Sequence, residues 1–391
     1  MLPDSLFLFL RTLALLLVAL MLSVAVYAFS INTDKNISAQ SVSADQLVTF
    51  NLGQGKKLAD ILEHEKNARL FFVGESHTRY DHHLVQLAAL KELFQQSPKL
   101  AIGAEWFQQP FQQHLDDYIA GRISEAQMLE RTRYFERWRY DYRLYRPIMQ
   151  FARDKNIPVI ALNAEPEVSK ALAKTTYAEL PAHLKSQIPE SFDWSDKDYE
   201  NRLRTVFEMH TEYASKFEDF LRGQLTWDES MAYRTADFLT RNPDHRMIVF
   251  AGSGHIEFGS GIPNRVKRYL NTHQVSLLIT DGRSEIDKDM ADYLVLSKEL
   301  LLNPAGLIGA FLETENQQLV IRGFSSNSVV QDAGVPQGAV IVSVDNTAVS
   351  SFTEFKLTML DKEAGDTIQL SYVDNADQDY QQAKTVTLML R

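Results

Sequence analysis

Five short apolar runs constrain the fold of this chain more than any other feature: residues 69–74 (RLFFVG), 100–105 (LAIGAE), 157–163 (IPVIALN), 246–252 (RMIVFAG) and 275–280 (VSLLIT). None alternates cleanly between apolar and polar positions, which is the pattern of strands buried on both faces. The stretches between them carry helical spacing, with Leu84, Leu87, Ala88 and Leu90 on one face and Ile148, Phe151 and Ala152 on another. Strand and helix in alternation predict an α/β domain over residues 47–298, its largely parallel sheet covered by helices. Residues 164–244 hold no strand signal. Within them Leu203, Val206, Phe207, His210, Tyr213 and Phe217 recur at helical spacing, which predicts a helical insertion over the sheet.

In a parallel sheet the carboxyl ends of the strands share one edge, and ligands bind along it. Four of these strands end in chemically able residues: Glu75 and His77, Glu105, Asn163, and His255. Gly74–His77 and Gly252–His255 are both G-x-x-H, where the glycine lets the chain turn sharply out of a strand. Two imidazoles and two carboxylates (His77, His255, Glu75 and Glu105) suit a divalent transition metal. They suit metal-free acid–base catalysis equally, a glutamate orienting an imidazole. Either way these four are the catalytic candidates. Asp81 and His82 read as a helix start with exposed histidines. His83 is open to both readings, and His114 reads as helix surface.

The segment RTRYFERWRYDYRLYRP (131–147) is the most aromatic and basic part of the chain. On a helix Tyr134, Trp138, Tyr142 and Tyr145 form one stripe, read as core, and Arg139, Arg143 and Arg146 form an adjoining row able to meet anionic groups. Arg146 is the strongest ligand-binding candidate of the three. Met209, His210 and Tyr213 fall together on the insertion, where a histidine on an apolar helical face also packs as core. Asp228, in Trp227-Asp228-Glu229, supplies either a rim acid or an ordinary cap.

Thr12 to Phe29 carries no charge, which predicts a signal peptide or membrane anchor over residues 1–30, followed by a polar tether over 31–46. Both versions export the chain, and the expected location is a periplasm, at the inner membrane or released from it. With no cysteine there is no disulfide, no thiolate metal site and no cysteine-linked lipid. A net charge of −11 argues against a nucleic-acid partner.

Residues 299–391 read as a small β-rich domain with strands at LVIRGF, GAVIVSV and TIQLSYV. On LIGAFLE and SVVQDAGVPQGAVIVSVDNTAV it resembles a bacterial PDZ domain, although Ala339 stands where such modules usually carry an acidic residue. The resemblance implies that a strand edge accepts a peptide or protein C-terminus, with Leu307, Ile308, Gly309 and Ala310 holding the terminal carboxylate.

Five segments taken in order, VGESHTRYDHHLVQL, IGAEWFQQPFQQHLDDYIAGRIS, YDYRLYRPIMQFARDKNIPVIALNAE, WDESMA and AGSGHIEFGSGIPNRV, are similar to the ChaN family, a haem-binding uptake family of the Tiki and TraB superfamily. The similarity runs from about Leu58 to about Thr280. It implies a role in haem and iron acquisition, with haem held largely by a helical part, and it marks Glu75, His77, Glu105, Arg146, Asn163, Asp228 and His255. Related branches include metal-dependent proteases with paired G-x-x-H motifs and Glu/His esterases. Many members are lipoproteins, which this cysteine-free chain cannot be. Two functions therefore stand side by side. One is a haem- or iron-binding protein fused to a peptide-binding module, with a homodimer sharing haem as a variant. The other is a metal-dependent or Glu/His hydrolase.

Overall fold

Each of the five apolar runs is a strand, and all five lie parallel in one sheet. The computed structural model describes residues 48–51, 54–209, 216–282, 286–374 and 383–391. The N-terminal apolar run, the tether, His210 and Tyr213 lie outside these residues. Among the described residues no helix is long and apolar enough to cross a membrane.

The strands are β1 (Val48–Asn51), β2 (Gln54–Lys57), β3 (Leu70–Glu75), β4 (Leu100–Gln108), β5 (Val159–Asn163), β6 (Arg246–Gly252), β7 (Gln274–Thr280) and β8 (Tyr293–Leu296). They form an eight-stranded sheet in the order β2-β1-β8-β7-β3-β6-β4-β5. From β8 to β5 every pairing is parallel, and β1 and β2 add an antiparallel edge. Every residue of β3, β4, β5 and β6 is buried. Separate hydrophobic clusters cover the two faces, one around Phe71, Val73 and Phe250, the other around Phe72, Val249 and Leu278. Each large side chain so buried contributes about 1.5–3 kcal/mol relative to exposure. This is the expected α/β class.

Helix α1 (Tyr80–Gln96) follows β3 and is buried without a break from Asp81 to Leu90. The expected exposure of His82 is corrected here: it is buried, and so is His83, whose reading was open. Asp81 does not cap the helix with its side chain. It binds Arg79 at 2.8 and 2.9 Å and accepts the Ser297 hydroxyl at 2.7 Å, tying the helix start to the end of β8.

The aromatic–basic segment is not one helix, which is a second correction. Short helical turns at Tyr134–Arg137 and Tyr142–Leu144 are separated by Arg139 in a left-handed conformation (φ 71°), and α2 (Arg146–Asp154) then begins with Pro147 in its first turn. The insertion holds a hairpin of two longer helices, α3 (Lys197–Met209) and α4 (Phe217–Arg241). They pack through Tyr199, Leu203, Phe217, Leu221 and Leu225.

The C-terminal residues form a second, antiparallel sheet in the order β14-β13-β11-β10-β9, with β12 (Thr347–Ala348) beside β11. Its strands are β9 (Ala310–Glu315), β10 (Gln318–Phe324), β11 (Val340–Val344), β13 (Thr367–Val373) and β14 (Lys384–Met389), and helix α5 (Phe352–Thr358) packs on it. Phe352, Leu357 and Leu360 also pack against the core of the first sheet.

Candidate functional site

The ends of β3, β4 and β6 converge because β6 lies between the other two. Glu75 closes β3, Glu105 lies within β4, and Gly252 closes β6. Glu105 turns one carboxylate oxygen to the Gly252 amide, which donates to it at 2.7 Å. His77 lies over the same glycine: a Cβ at residue 252 would come within 3.0 Å of the imidazole Cε1. Gly252 has an ordinary backbone conformation, so this glycine is there for room and not for its torsions.

Five ionisable groups form an alternating chain. The Glu75 carboxylate is 2.5 Å from His77 Nδ1. The other oxygen of Glu105 is 3.4 Å from His255 Nε2. His255 Nδ1 is 2.7 Å from Asp228, which accepts the Tyr199 hydroxyl at 2.6 Å on its second oxygen. Burial pulls both imidazoles down, but the carboxylates outweigh it. Glu75 and Glu105 raise His77 to about 9, and Asp228 and Glu105 hold His255 well above its ordinary value. Burial raises Glu105, yet His255, His77 and the Gly252 amide together bring it down to about 2. The site is a buried row of opposite charges, each compensated by its neighbours.

A third imidazole supports the row from behind. His83 reaches the His77 carbonyl through Nε2 at 3.1 Å and Gln86 through Nδ1 at 3.1 Å. His82 accepts the Ser76 amide at 3.1 Å, and its burial depresses it to about 4. On the open side, Trp138 meets the His77 ring edge-on with centroids 4.9 Å apart, and Tyr140 lies 4.8 Å away.

One ligand atom each from Glu75, His77 and Glu105 lies within 4.8 Å of the others, close enough to share a metal ion. The second oxygen of Glu75 is buried without a hydrogen-bond partner, with His83 Nε2 3.9 Å away. Two carboxylates and an imidazole fit a divalent ion such as zinc or manganese. His255 lies beside this cluster, its Nε2 3.4 Å from Glu105 and its Nδ1 held by Asp228 at 2.7 Å.

The remaining candidates divide. Asp228 belongs to the row. Asn163 ends β5 beyond β4, its Oδ1 buried without a partner, and no hydrogen bond among the described residues joins it to the row. Arg146 is not at the rim, a further correction. It binds Glu125 at 2.8 Å and pairs with Asp361 below the second sheet. Its guanidinium is committed to holding two parts of the chain together. Leu307, Ile308, Gly309 and Ala310 form the loop entering β9, with Gly309 at φ 74°. Sequence reasoning missed Tyr199 and Tyr140 and left His83 open. The aromatic density around Tyr140 was visible, but a helical period was imposed on it; nothing local marks Tyr199.

No curated protein sequence matches the chain. Among solved structures, ChaN of Campylobacter jejuni, described as binding haem cofacially, matches 64% of this chain and 97% of its own, with 16% identity and a TM-score of 0.52. The PDZ domain of a carboxy-terminal protease from Vibrio cholerae, solved with a peptide, matches 23% of this chain and 95% of its own, with 18% identity and a TM-score of 0.20. The family model described as haem-binding uptake, Tiki superfamily, ChaN matches residues 61–266, more than half of the sequence. The chain therefore belongs to the ChaN family of haem-binding uptake proteins in the Tiki superfamily.

Proposed function

We propose that this protein binds haem in a periplasm, at the far end of the α3–α4 hairpin, and that its second sheet receives a polypeptide C-terminus. The observation that carries the haem reading is the apolar crest of the hairpin. Met209 is 67% exposed and Val206 40% exposed at the end of a helix whose base is packed. Exposed apolar side chains at a helix tip mark a binding surface. Met209, His210 and Tyr213 supply thioether, imidazole and phenol, each able to ligate haem iron. Arg204 lies over the Phe217 ring at 3.8 Å and pairs with Glu200 at 3.4 Å; in this reading its exposed guanidinium also meets a porphyrin propionate. The donor types, the apolar surface and the cation fit haem.

A single crest covers one porphyrin face, so a second copy covers the other in this reading, as befits a relative that binds haem cofacially. The uncharged run Thr12–Phe29 carries the export, leaving the protein anchored or released. In the second sheet β9 is an edge strand, and Leu307 to Ala310 stand where a carboxylate would be held. The test is a haemin titration. Stoichiometric binding with a shifted Soret band is expected, and His210→Ala or Tyr213→Phe changes the band if that residue is the axial ligand. A spectrum identical to free haemin at micromolar concentrations sinks the proposal.

The Glu75–His77–Glu105 cluster favours a second reading, a hydrolase acting on a peptide or ester. A divalent ion held there would supply Lewis acidity. The chain's own groups would do the rest: the carboxylates neutralise the ion, and the His255 imidazolium, fixed by Asp228, offers positive charge to a developing oxyanion. Without metal, Glu75 and His77 are the acid–base pair. Calorimetric titration with zinc and with manganese distinguishes the two. Saturable binding lost in Glu75→Gln supports the metal version; no binding of either ion rejects it.

A further inference from the structure

A cavity of about 420 Å³ opens between the two sheets' units. One wall is the loop leading into β9 together with Phe355, Lys356 and Met359 of α5; the other is Phe135, Arg139 and Tyr140 of the first unit. The walls are fixed to each other. Thr353 donates its hydroxyl to Glu136 at 2.6 Å, Arg143 donates to the Asn303 carbonyl at 3.0 Å, and Arg146 pairs with Asp361.

The groove carries recognition groups. Lys356 lies over the Phe135 ring at 5.8 Å and Arg139 donates through Nε to the Glu136 carbonyl at 3.2 Å, and among the described residues neither has a carboxylate partner; the Ile308 and Gly309 amides make no backbone hydrogen bond. The one acid in the groove, Asp141, is already held by Arg143 at 2.7 Å. Phe311, on the unpaired edge of β9, is 63% exposed. In a chain of net charge −11, two cations without a carboxylate partner beside apolar walls select an anion with an apolar attachment.

Tyr140 belongs to two sites at once. It lines the groove, and its ring lies against His77. The left-handed turn at Arg139 is what allows this: Trp138 and Tyr140 both contact His77 while the residue between them lines the groove. A non-glycine residue held at positive φ is a costly conformation that persists only where the surroundings impose it.

We propose that this groove is a composite receptor for the free C-terminus of a partner polypeptide with an apolar last residue, and that its occupant is read at His77 through Tyr140. The proposal rests on the C-terminus-binding reading of the second sheet and adds to it the first unit's wall and the link to the strand-end site. The carboxylate lies at the Ile308 and Gly309 amides within reach of Lys356 and Arg139. The last side chain lies between Phe355 and Met359, and the preceding residues run along β9 against Tyr140.

The test uses the intact protein and heptapeptides with randomised final residues, each made as free acid and as amide. Fluorescence polarisation reports binding, and the ring-nitrogen spectrum of ¹⁵N-histidine protein reports His77, assigned by its loss in His77→Gln. Free acids ending in apolar residues bind, amides bind about tenfold more weakly, and Lys356→Gln or Arg139→Gln weakens the acids by a similar factor. At saturation the His77 resonance moves while those of exposed His64 and His273 do not, and Tyr140→Ala removes the His77 response. Acid-dependent binding with an unmoved His77 and an unaffected Arg139→Gln overturns the composite groove and leaves the C-terminus reading standing. Binding of no free acid overturns both.

Discussion

At the scale of single residues the site is set by how closely its parts approach. A methyl group at residue 252 meets the His77 ring, whose side chain can shift, so Gly252→Ala is expected to cost about 1–3 kcal/mol and to pull His77 from Glu75. Gly261 is more demanding. Its φ is 60°, and a Cβ there lies 2.4 Å from the His255 carbonyl oxygen, which cannot move without the backbone. Thermal unfolding of the two variants should therefore rank Gly261→Ala as the less stable. The histidines predict a two-sided pH dependence. His82 is depressed from 6.5 to about 4, so between these values the unfolded chain binds the extra proton and stability falls with falling pH, by about 3 kcal/mol over the window. His77 is raised from 6.5 to about 9, so its contribution is complete below pH 6.5 and is lost as pH rises through 9. Melting temperatures measured from pH 4 to 9 should peak near the middle. His82→Gln should flatten the acid limb alone, and an unchanged acid limb would show that His82 does not titrate in this way.

Elements differ in how plainly the sequence announces them. The five parallel strands were legible because burial on both faces leaves few polar positions in each run and no clean alternation, and their shared direction brought Glu75, Glu105 and His255 to one edge. The edge strands β1 and β2 and the four-residue β8 were missed: short strands at a sheet margin carry too little pattern. The aromatic–basic segment misled because its side chains satisfy a helical period, while its backbone breaks at Arg133 and Arg139, both at positive φ. The buried state of His82 and His83 was illegible for another reason, since only tertiary packing decides whether the first turn of α1 is covered. Helix α4 depends on a buried polar knot in the same way. Glu229 is fully buried and binds Arg268 at 2.6 Å, Tyr269 at 3.1 Å and the Asp193 amide at 2.6 Å, with Arg265 at 3.3 Å. Removing that carboxylate leaves the buried Arg265 uncompensated, so Glu229→Ala is expected to destabilise by about 3–5 kcal/mol in denaturant unfolding. A loss below about 1 kcal/mol, the value of a surface pair, would mean that the knot is solvated.

Over the whole molecule, two sheets share a seam where Arg146, Arg143 and Glu136 of the first meet Asp361, Asn303 and Thr353 of the second. Arg146, read from sequence as a ligand-binding group, serves this seam instead. Arg146→Ala should leave the hairpin crest intact and loosen the seam, seen as faster hydrogen exchange in α5 with no change in haem affinity. The proposed haem crest at Met209 lies about 15 Å along α3 from Tyr199, whose hydroxyl joins the strand-end row of charges at Asp228. The measurement that separates them is a Soret titration of Met209→Asp and His77→Gln beside the parent protein. The account predicts that Met209→Asp weakens haem binding at least about tenfold, a loss of roughly 1.4 kcal/mol, while His77→Gln binds as the parent does. Full affinity in Met209→Asp with loss in His77→Gln would place the haem at the strand ends and contradict it.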